Sequence, residues 1–216
     1  MKFNKKSIQI ACDGGAATGK STGAKMIARK YKLKFLSSGL LYRYAAFLIN
    51  KQKPKDKINF IKKKFKNLNF KKIEKINLHS PIISEYSSQI AKDNKIRKIL
   101  KKFQINFSKK NKNCCIEGRD ISTKILPNSD LKFYFVCSLS IAAKRRYLEL
   151  KKTNPLIKYE NVKKALKKRN ISDVKRKYSP LLKHRNSIVI DTGKLSKAEM
   201  LAKMSKQIDK FLKNEK

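Results

Sequence analysis

The sequence of 216 residues is long enough for one sizeable α/β domain, and its 40% apolar content is sufficient for a packed core. That content excludes a disordered polycation, although the formal net charge at pH 7 is +41. We find no apolar run long enough for a membrane span and no secretion signal, so we expect no membrane partner. The four cysteines lack metal-ligand spacing, which favours reduced thiols and a cytoplasmic location.

The lysines and the arginines of this chain point to different roles. Lysines are spread over the whole chain, which indicates solvated surface positions and not one compact nucleic-acid interface. Arginine is rarer, and a lysine-rich protein keeps it where a planar, two-pronged donor matters, as on a phosphate. Nine of the 56 basic residues are arginine, and we treat them as candidate site residues: Arg29, Arg43, Arg97, Arg119, Arg145, Arg146, Arg169, Arg176 and Arg185.

A glycine-rich segment follows the first predicted strand, which covers residues 7–12. Gly14, Gly19, Lys20 and Ser21 fit the phosphate-binding pattern G-x-x-x-x-G-K-[ST]. In this pattern backbone N–H groups and the positive end of the next helix bind phosphate oxygens. The lysine side chain is mobile and can contact both the β- and the γ-phosphate. The sequence therefore predicts a nucleotide phosphate site formed by Gly14, Gly15, Ala16, Ala17, Thr18, Gly19, Lys20, Ser21 and Thr22.

A second strand is predicted at residues 34–36, and the helix over residues 40–49 has Ser38 near its N-terminal cap. Arg43 lies at the start of this helix, close to the carboxyl end of a strand. Open parallel sheets bind ligands beyond the carboxyl ends of their strands, so we expect Arg43 to meet a second phosphate. A solvated surface arginine is the alternative.

Residues 51–108 form a predicted insertion between the second and third strands. Lysine-rich residues 51–67 suit a linker and a surface helix, and apolar residues between 70 and 78 suggest an irregular or strand-like patch. From Ser80 onward, apolar residues at helical spacing predict two further helices.

The third predicted strand, residues 114–117, leads directly into Gly118, Arg119 and Asp120. These residues again occupy the ligand-binding end of a strand. A fourth strand at residues 131–137 precedes a helix that carries Arg145 and Arg146.

The last part of the chain continues the alternation of helix and strand. A helix through residues 162–176 brings Arg169, Asp173 and Arg176 onto one face, because they are spaced by four and three residues. An ordinary surface ion-pair ladder is the alternative. A fifth strand at residues 187–191 and an amphipathic helix complete the domain.

Together these motifs resemble the bacterial cytidylate (CMP/dCMP) kinases, in the nucleoside-monophosphate kinase group of P-loop proteins. Residues 13–22 are similar to the family's I-D-G-P-x-x-x-G-K-G-T loop, and residues 38–43 to its S-G-A-x-Y-R. Residues 88–97 resemble S-x-V-A…R, residues 118–123 resemble G-R-D-x-G-T, and residues 145–146 with 169–181 resemble its lid region. The chain departs from the family pattern at four positions: Gly15 replaces Pro, Ser21 and Ser122 replace Gly, and Asn170 replaces Asp.

The resemblance implies a three-layer α/β/α fold with a five-stranded parallel sheet. The implied core comprises about residues 1–50, 109–147 and 181–216, with an enlarged monophosphate-binding insert at 51–108 and a short helical lid at 148–180. It also implies transfer of the γ-phosphoryl group of ATP to CMP or dCMP with Mg²⁺, by a monomer without a specific nucleic-acid partner.

The resemblance assigns roles to individual residues as well. Catalytic roles fall to Lys20, Arg119, Arg145, Arg146 and Arg169. Binding of CMP falls to Ser38, Arg43, Ser88, Arg97, Arg119, Asp120, Arg169, Asp173 and Arg176. Ser21 offers a hydroxyl to Mg²⁺.

Two other functions remain open from sequence. One is a different P-loop small-molecule kinase, acting on UMP, another monophosphate, a nucleoside or shikimate. The other is a basic nucleic-acid-binding protein with a non-catalytic phosphate loop, which would show steeply salt-dependent binding.

Overall fold

The structure is a computed structural model that describes residues 7–66 and 68–213. The first six and last three residues of the predicted core lie outside this range. The strands are β1 (Gln9–Gly14), β2 (Lys34–Ser37), β3 (Cys114–Gly118), β4 (Leu131–Val136) and β5 (Ile188–Asp191). The helices are α1 (Lys20–Lys30), α2 (Ser38–Gln52), α3 (Lys57–Lys66), α4 (Phe70–Glu74), α5 (Pro81–Ile90), α6 (Asn94–Lys110), α7 (Leu139–Lys151), α8 (Tyr159–Lys175) and α9 (Lys197–Lys213).

The five strands form one parallel sheet in the order β2-β3-β1-β4-β5. Successive residues of β1 point to opposite faces, as strand geometry requires. Ile10 and Cys12 pack with α1 and α9, whereas Ala11 packs with α2 and with the helices between β2 and β3. The predicted three-layer α/β/α architecture is therefore confirmed, with β1 at its centre.

The helices between β2 and β3 share a core with the sheet. Leu36 of β2, Leu41 of α2, Ile61 of α3 and Leu100 of α6 belong to one buried cluster. Helices α7 and α8 pack on each other through a smaller cluster that includes Ala143 and Ala16 of the phosphate loop. In the described part of the chain, no helix has the length and apolar character that crossing a membrane requires.

The prediction of an irregular or strand-like patch at residues 70–78 was wrong for residues 70–74, which form helix α4, whereas residues 75–78 are irregular as predicted. Asn69 caps that helix by accepting a hydrogen bond from the Lys71 N–H at 3.1 Å. Ile73 and Leu78 are buried in the cluster shared with the sheet. Short apolar runs fit either a strand or a helix, so spacing alone did not decide between them.

Two details of the loops were not predicted. The cap of α2 is Ser37, whose hydroxyl accepts a hydrogen bond from the Leu40 N–H, one residue before the predicted Ser38. A single π-helical turn, Ile121–Ile125, follows the Gly118-Arg119-Asp120 motif. Such turns are rare and occur often at functional sites.

Candidate active site

The phosphate loop leaves the sheet at Gly14, where β1 passes very close to β4. A Cβ atom at Gly14 would lie 2.5 Å from the Phe135 carbonyl oxygen, and its φ is +155°, so only glycine fits. Helix α1 begins at Lys20 after Gly19, and no side chain caps it. Its first N–H groups therefore stay available for an anion, as the motif predicted.

Lys20 is buried at the base of this loop, with 7% of its surface exposed. Its ammonium donates a hydrogen bond to the Gly15 carbonyl at 3.3 Å and lies 3.7 Å from Glu117 Oε2. Burial, with the charge of Arg119 next in importance, lowers the pKa of Lys20 to about 7. The free site therefore does not fully stabilise a charged lysine.

Glu117 is a site residue that sequence reasoning missed. It is the penultimate residue of the buried strand β3, pairs in register with Cys12 of β1, and accepts a hydrogen bond from the Ser37 hydroxyl. Burial works to raise its pKa, but Lys20, Ser37 and Arg119 together hold that pKa below its ordinary value. Its position just before Gly118-Arg119, at a strand's carboxyl end, was the available signal.

Five cations converge around the phosphate loop from five separate elements, and we call them the cation cluster. Its members are Lys20 of α1, Arg43 of α2, Arg119 after β3, Arg146 of α7 and Arg169 of α8. Burial, followed by the charge of Arg146, lowers the pKa of Arg43; burial, followed by the charge of Arg119, lowers that of Arg169. The structure thus brings together arginines that lie far apart in the sequence.

The acidic groups near the cation cluster neutralise it only in part. Arg119 Nε donates to Asp173 Oδ2 at 2.8 Å, and Arg146 Nη1 lies 2.8 Å from Glu149 Oε2. The Nε atoms of Arg43 and Arg169 are buried, and neither has a hydrogen-bond partner in the described protein. A cluster with surplus positive charge and unpaired donors is built to receive anions.

A second set of charged residues forms an adjoining pocket, which we call the ion-pair pocket. Arg97 Nη2 donates to Asp120 Oδ2 at 2.5 Å, and Arg176 Nη1 donates to Asp173 Oδ1 at 3.2 Å. Arg176 Nη2 lies 3.9 Å from the other Asp120 oxygen, and the Arg97 guanidinium is 5.4 Å from the centre of the Tyr42 ring. Asp173 joins both sets, because it also accepts from Arg119.

Asp13, a second missed residue, fixes this pocket relative to the phosphate loop. Its fully buried carboxylate accepts from the Ile121 N–H at 2.8 Å, the Ser122 N–H at 2.7 Å and the Ser122 hydroxyl at 2.6 Å. Burial raises the pKa of Asp13 to about 6, although these hydrogen bonds oppose the shift. The end of β1 is thereby tied to the turn that follows Arg119 and Asp120.

The remaining candidates lie at the edges of the site. Arg145 donates to the Thr192 hydroxyl at 2.9 Å and to the Thr192 carbonyl at 2.7 Å. Thr192, which sequence reasoning also missed, donates in turn to the Thr18 carbonyl of the phosphate loop at 2.8 Å. Ser38 is buried at the first position of α2, and Ser88 is partly buried on α5.

Comparisons with known proteins agree with this geometry. The profile of the cytidylate kinase family, described as "Cytidylate kinase", matches residues 10–210. A curated cytidylate kinase of Bartonella tribocorum is 36% identical over 213 residues, which cover 96% of this chain and 97% of that protein.

Solved structures of low sequence identity share the fold. An uncharacterized protein from Eubacterium ventriosum has a TM-score of 0.58 at 16% identity, covering 94% of this chain and 98% of that one. Shikimate kinase from Acinetobacter baumannii has a TM-score of 0.50 at 15% identity, covering 95% of each chain. At such identities these two likenesses support the α/β architecture alone.

The lowered pKa of Lys20 predicts proton uptake on nucleotide binding. At pH 8 the free lysine is mostly neutral, and a bound triphosphate raises its pKa, so roughly one proton is taken up per ATP. Titration calorimetry with ATP alone, in buffers of different ionisation enthalpy, measures this number. Lys20→Arg should bind ATP without proton uptake, because a guanidinium stays charged, while Lys203→Met, at an exposed position of α9, should behave as wild type. Absence of proton uptake by the wild type at pH 8 would contradict the assignment.

Proposed function

The chain belongs to the cytidylate kinase family, which makes it an ATP-dependent kinase of CMP and dCMP, and we propose how its residues divide that reaction. The phosphate loop and Lys20 hold the donor, and the cation cluster with the ion-pair pocket holds the acceptor. The observation that carries this division is the convergence of five cations from five elements on one loop, with too few carboxylates to neutralise them.

The donor half comprises Gly14 to Thr22. Free backbone N–H groups of this loop and of the start of α1 bind the phosphates. The Lys20 ammonium contacts the oxygens of the β- and γ-phosphates. Ser21 is exposed at the start of α1, and its hydroxyl is among the groups that lower the pKa of Glu117. A hydroxyl and a nearby carboxylate suit Mg²⁺ held mainly by phosphate oxygens and water. Within residues 7–66 and 68–213 no group of three or more His, Cys, Asp or Glu side chains is placed to hold a metal ion. When bound, the ion neutralises charge on the β- and γ-phosphates.

The acceptor half uses the other arginines. We assign the acceptor phosphate to Arg43, Arg119 and Arg176, and the sugar hydroxyls to Asp173 with Arg169. These assignments draw support from the burial of Asp173 and from the ion pairs that hold the little-exposed side chains of Arg119 and Arg176 against it.

Asp120, Arg97 and Ser88 are assigned to the base. Cytosine presents an amino donor beside two acceptors, which a carboxylate and an arginine complement. Each Asp120 oxygen has two lone pairs, so Arg97 leaves capacity for the amino group. Uracil turns a carbonyl toward the carboxylate and should bind less well by about 1–3 kcal/mol.

Catalysis in this scheme is alignment and charge neutralisation. The acceptor phosphate has a second pKa of about 6 and is already ionised at neutral pH, so no general base is required. Arg146 and Arg169, with Arg145 beside Thr192, are assigned to the transferring group and to exclusion of water by the lid, residues 148–180. The insert, residues 51–108, contributes Ser88 and Arg97 to the acceptor half.

We also infer a reducing, cytoplasmic location and a monomer. Cys12 and Cys115 lie with their sulfur atoms 3.8 Å apart without a disulfide, which suits a reducing compartment. A net charge of +41 opposes self-association. A nucleic-acid-binding role is not favoured, because the arginines converge on one pocket and do not follow a surface stripe.

A substrate panel tests the activity. Release of ADP from ATP should be stimulated by CMP and dCMP, more weakly by UMP, and not by AMP or shikimate. A coupled assay of ADP measures this directly. Equal stimulation by UMP would contradict the base assignment, and no stimulation by CMP would contradict the function.

Asp120→Asn tests the base assignment with little change in shape. Loss of the carboxylate should raise the KM for CMP about tenfold or more and leave the KM for ATP within about twofold. The matched control is Asp209→Asn on α9, where the carboxylate accepts from the Tyr31 hydroxyl, and it should change neither constant. Equal effects of Asp120→Asn on both substrates would refute the assignment.

A further inference from the structure

One peptide group of the phosphate loop is hydrogen bonded on both of its sides. The Gly15 carbonyl accepts from the Lys20 ammonium at 3.3 Å and from the Thr18 hydroxyl at 3.0 Å. The N–H of the same peptide group, that of Ala16, donates to Asn170 Oδ1 of α8 at 3.1 Å. The lysine of the donor half and a side chain of the lid are thus joined through a single rigid plane.

The chain makes room for this contact. A Cβ atom at residue 15 would lie 3.4 Å from Asn170 Oδ1 and 3.3 Å from Thr18 Cγ2, so a side chain there would crowd both neighbours. Gly15 and Asn170 are two of the four departures from the family pattern, and they lie against each other. The two substitutions form one local arrangement.

The C-terminal half of α8 depends on polar contacts for its position. Val162 and Leu166 of the N-terminal half are buried against α7. Beyond them, Ile171 is 47% exposed and Val174 is 50% exposed, so apolar packing contributes little there. Asn170 on Ala16 is therefore an anchor of the segment that carries Arg169 to the loop.

We propose that Asn170 is a positioning residue, which couples docking of α8 on the phosphate loop to the placement of the Lys20 ammonium. While Asn170 accepts from the Ala16 N–H, the peptide plane is fixed and its carbonyl faces Lys20. Hydrogen bonds on the two sides of a peptide group also polarise and strengthen each other. This inference rests on the proposed function, in which Lys20 holds the donor phosphates.

Loss of the Asn170 side chain has a definite local consequence. The Ala16 N–H is left without its partner in a loop where Ala16 is only 5% exposed, and an unpaired buried N–H is unfavourable. The peptide then rotates to find another acceptor, and Lys20 loses the carbonyl that orients it. The position needs an acceptor oxygen, so aspartate should replace asparagine while alanine should not.

Steady-state kinetics of Asn170→Ala, Asn170→Asp and Asn161→Ala test the proposal. Asn161 is exposed on the same helix and provides the matched control. We expect Asn170→Ala to lower kcat about tenfold, with the KM for CMP within about twofold, as for loss of one positioning hydrogen bond. Asn170→Asp should keep kcat within about threefold of wild type, and Asn161→Ala should equal wild type.

Hydrogen exchange provides a readout that does not depend on catalysis. In the ligand-free protein the Ala16 amide should exchange about tenfold faster in Asn170→Ala than in wild type, and at the wild-type rate in Asn170→Asp and Asn161→Ala. Unchanged kcat, unchanged Ala16 exchange, failure of aspartate to rescue, or equal loss in Asn161→Ala would each overturn the proposal. If wild type itself shows no CMP-dependent ADP release, the proposed function fails, whereas the exchange result still decides on the contact.

Discussion

The site holds five positively charged side chains close together with little exposure to water, which is unfavourable in free energy. The rest of the structure depends on this constraint. Burial lowers the pKa values of Lys20, Arg43 and Arg169, and the charges of neighbouring arginines, Arg119 among them, lower those values further. A protein selected for stability alone would replace such groups with apolar ones. The fold retains them because two phosphorylated nucleotides must be brought together there, and each contributes the negative charge that the free site lacks.

The sheet, three carboxylates and the surrounding helices hold these five cations in place. The parallel sheet delivers Lys20 and Arg119 at the carboxyl ends of neighbouring strands, β1 and β3. Asp13 ties these ends together, Glu117 balances Lys20, and Asp173 balances Arg119 and Arg176. The helices α2, α7 and α8 bring the remaining arginines from outside the sheet, so the site is complete only when every layer is in place.

Local patterns were sufficient to predict much of this arrangement. The loop from Gly14 to Thr22, the five strands and the arginine candidates followed from spacing and residue type, which act over a few positions. Asp13, Glu117 and Thr192 were missed because their roles depend on contacts over large sequence separations, such as Asp13 with Ser122 and Thr192 with Thr18. Helix α4 was missed because a short apolar run fits either a strand or a helix. The hydrogen bond from the Lys71 N–H to the Asn69 side chain caps the helix and favours it over a strand.

The stability of Arg169→Met without nucleotide tests the central claim most directly. Methionine keeps much of the length and removes the buried charge, whose Nε has no partner in the described residues. If the cation cluster is strained in the free protein, urea unfolding at pH 7 should show the variant more stable than wild type by about 1 kcal/mol. A variant clearly less stable than wild type would show that Arg169 stabilises the fold, and would contradict the account.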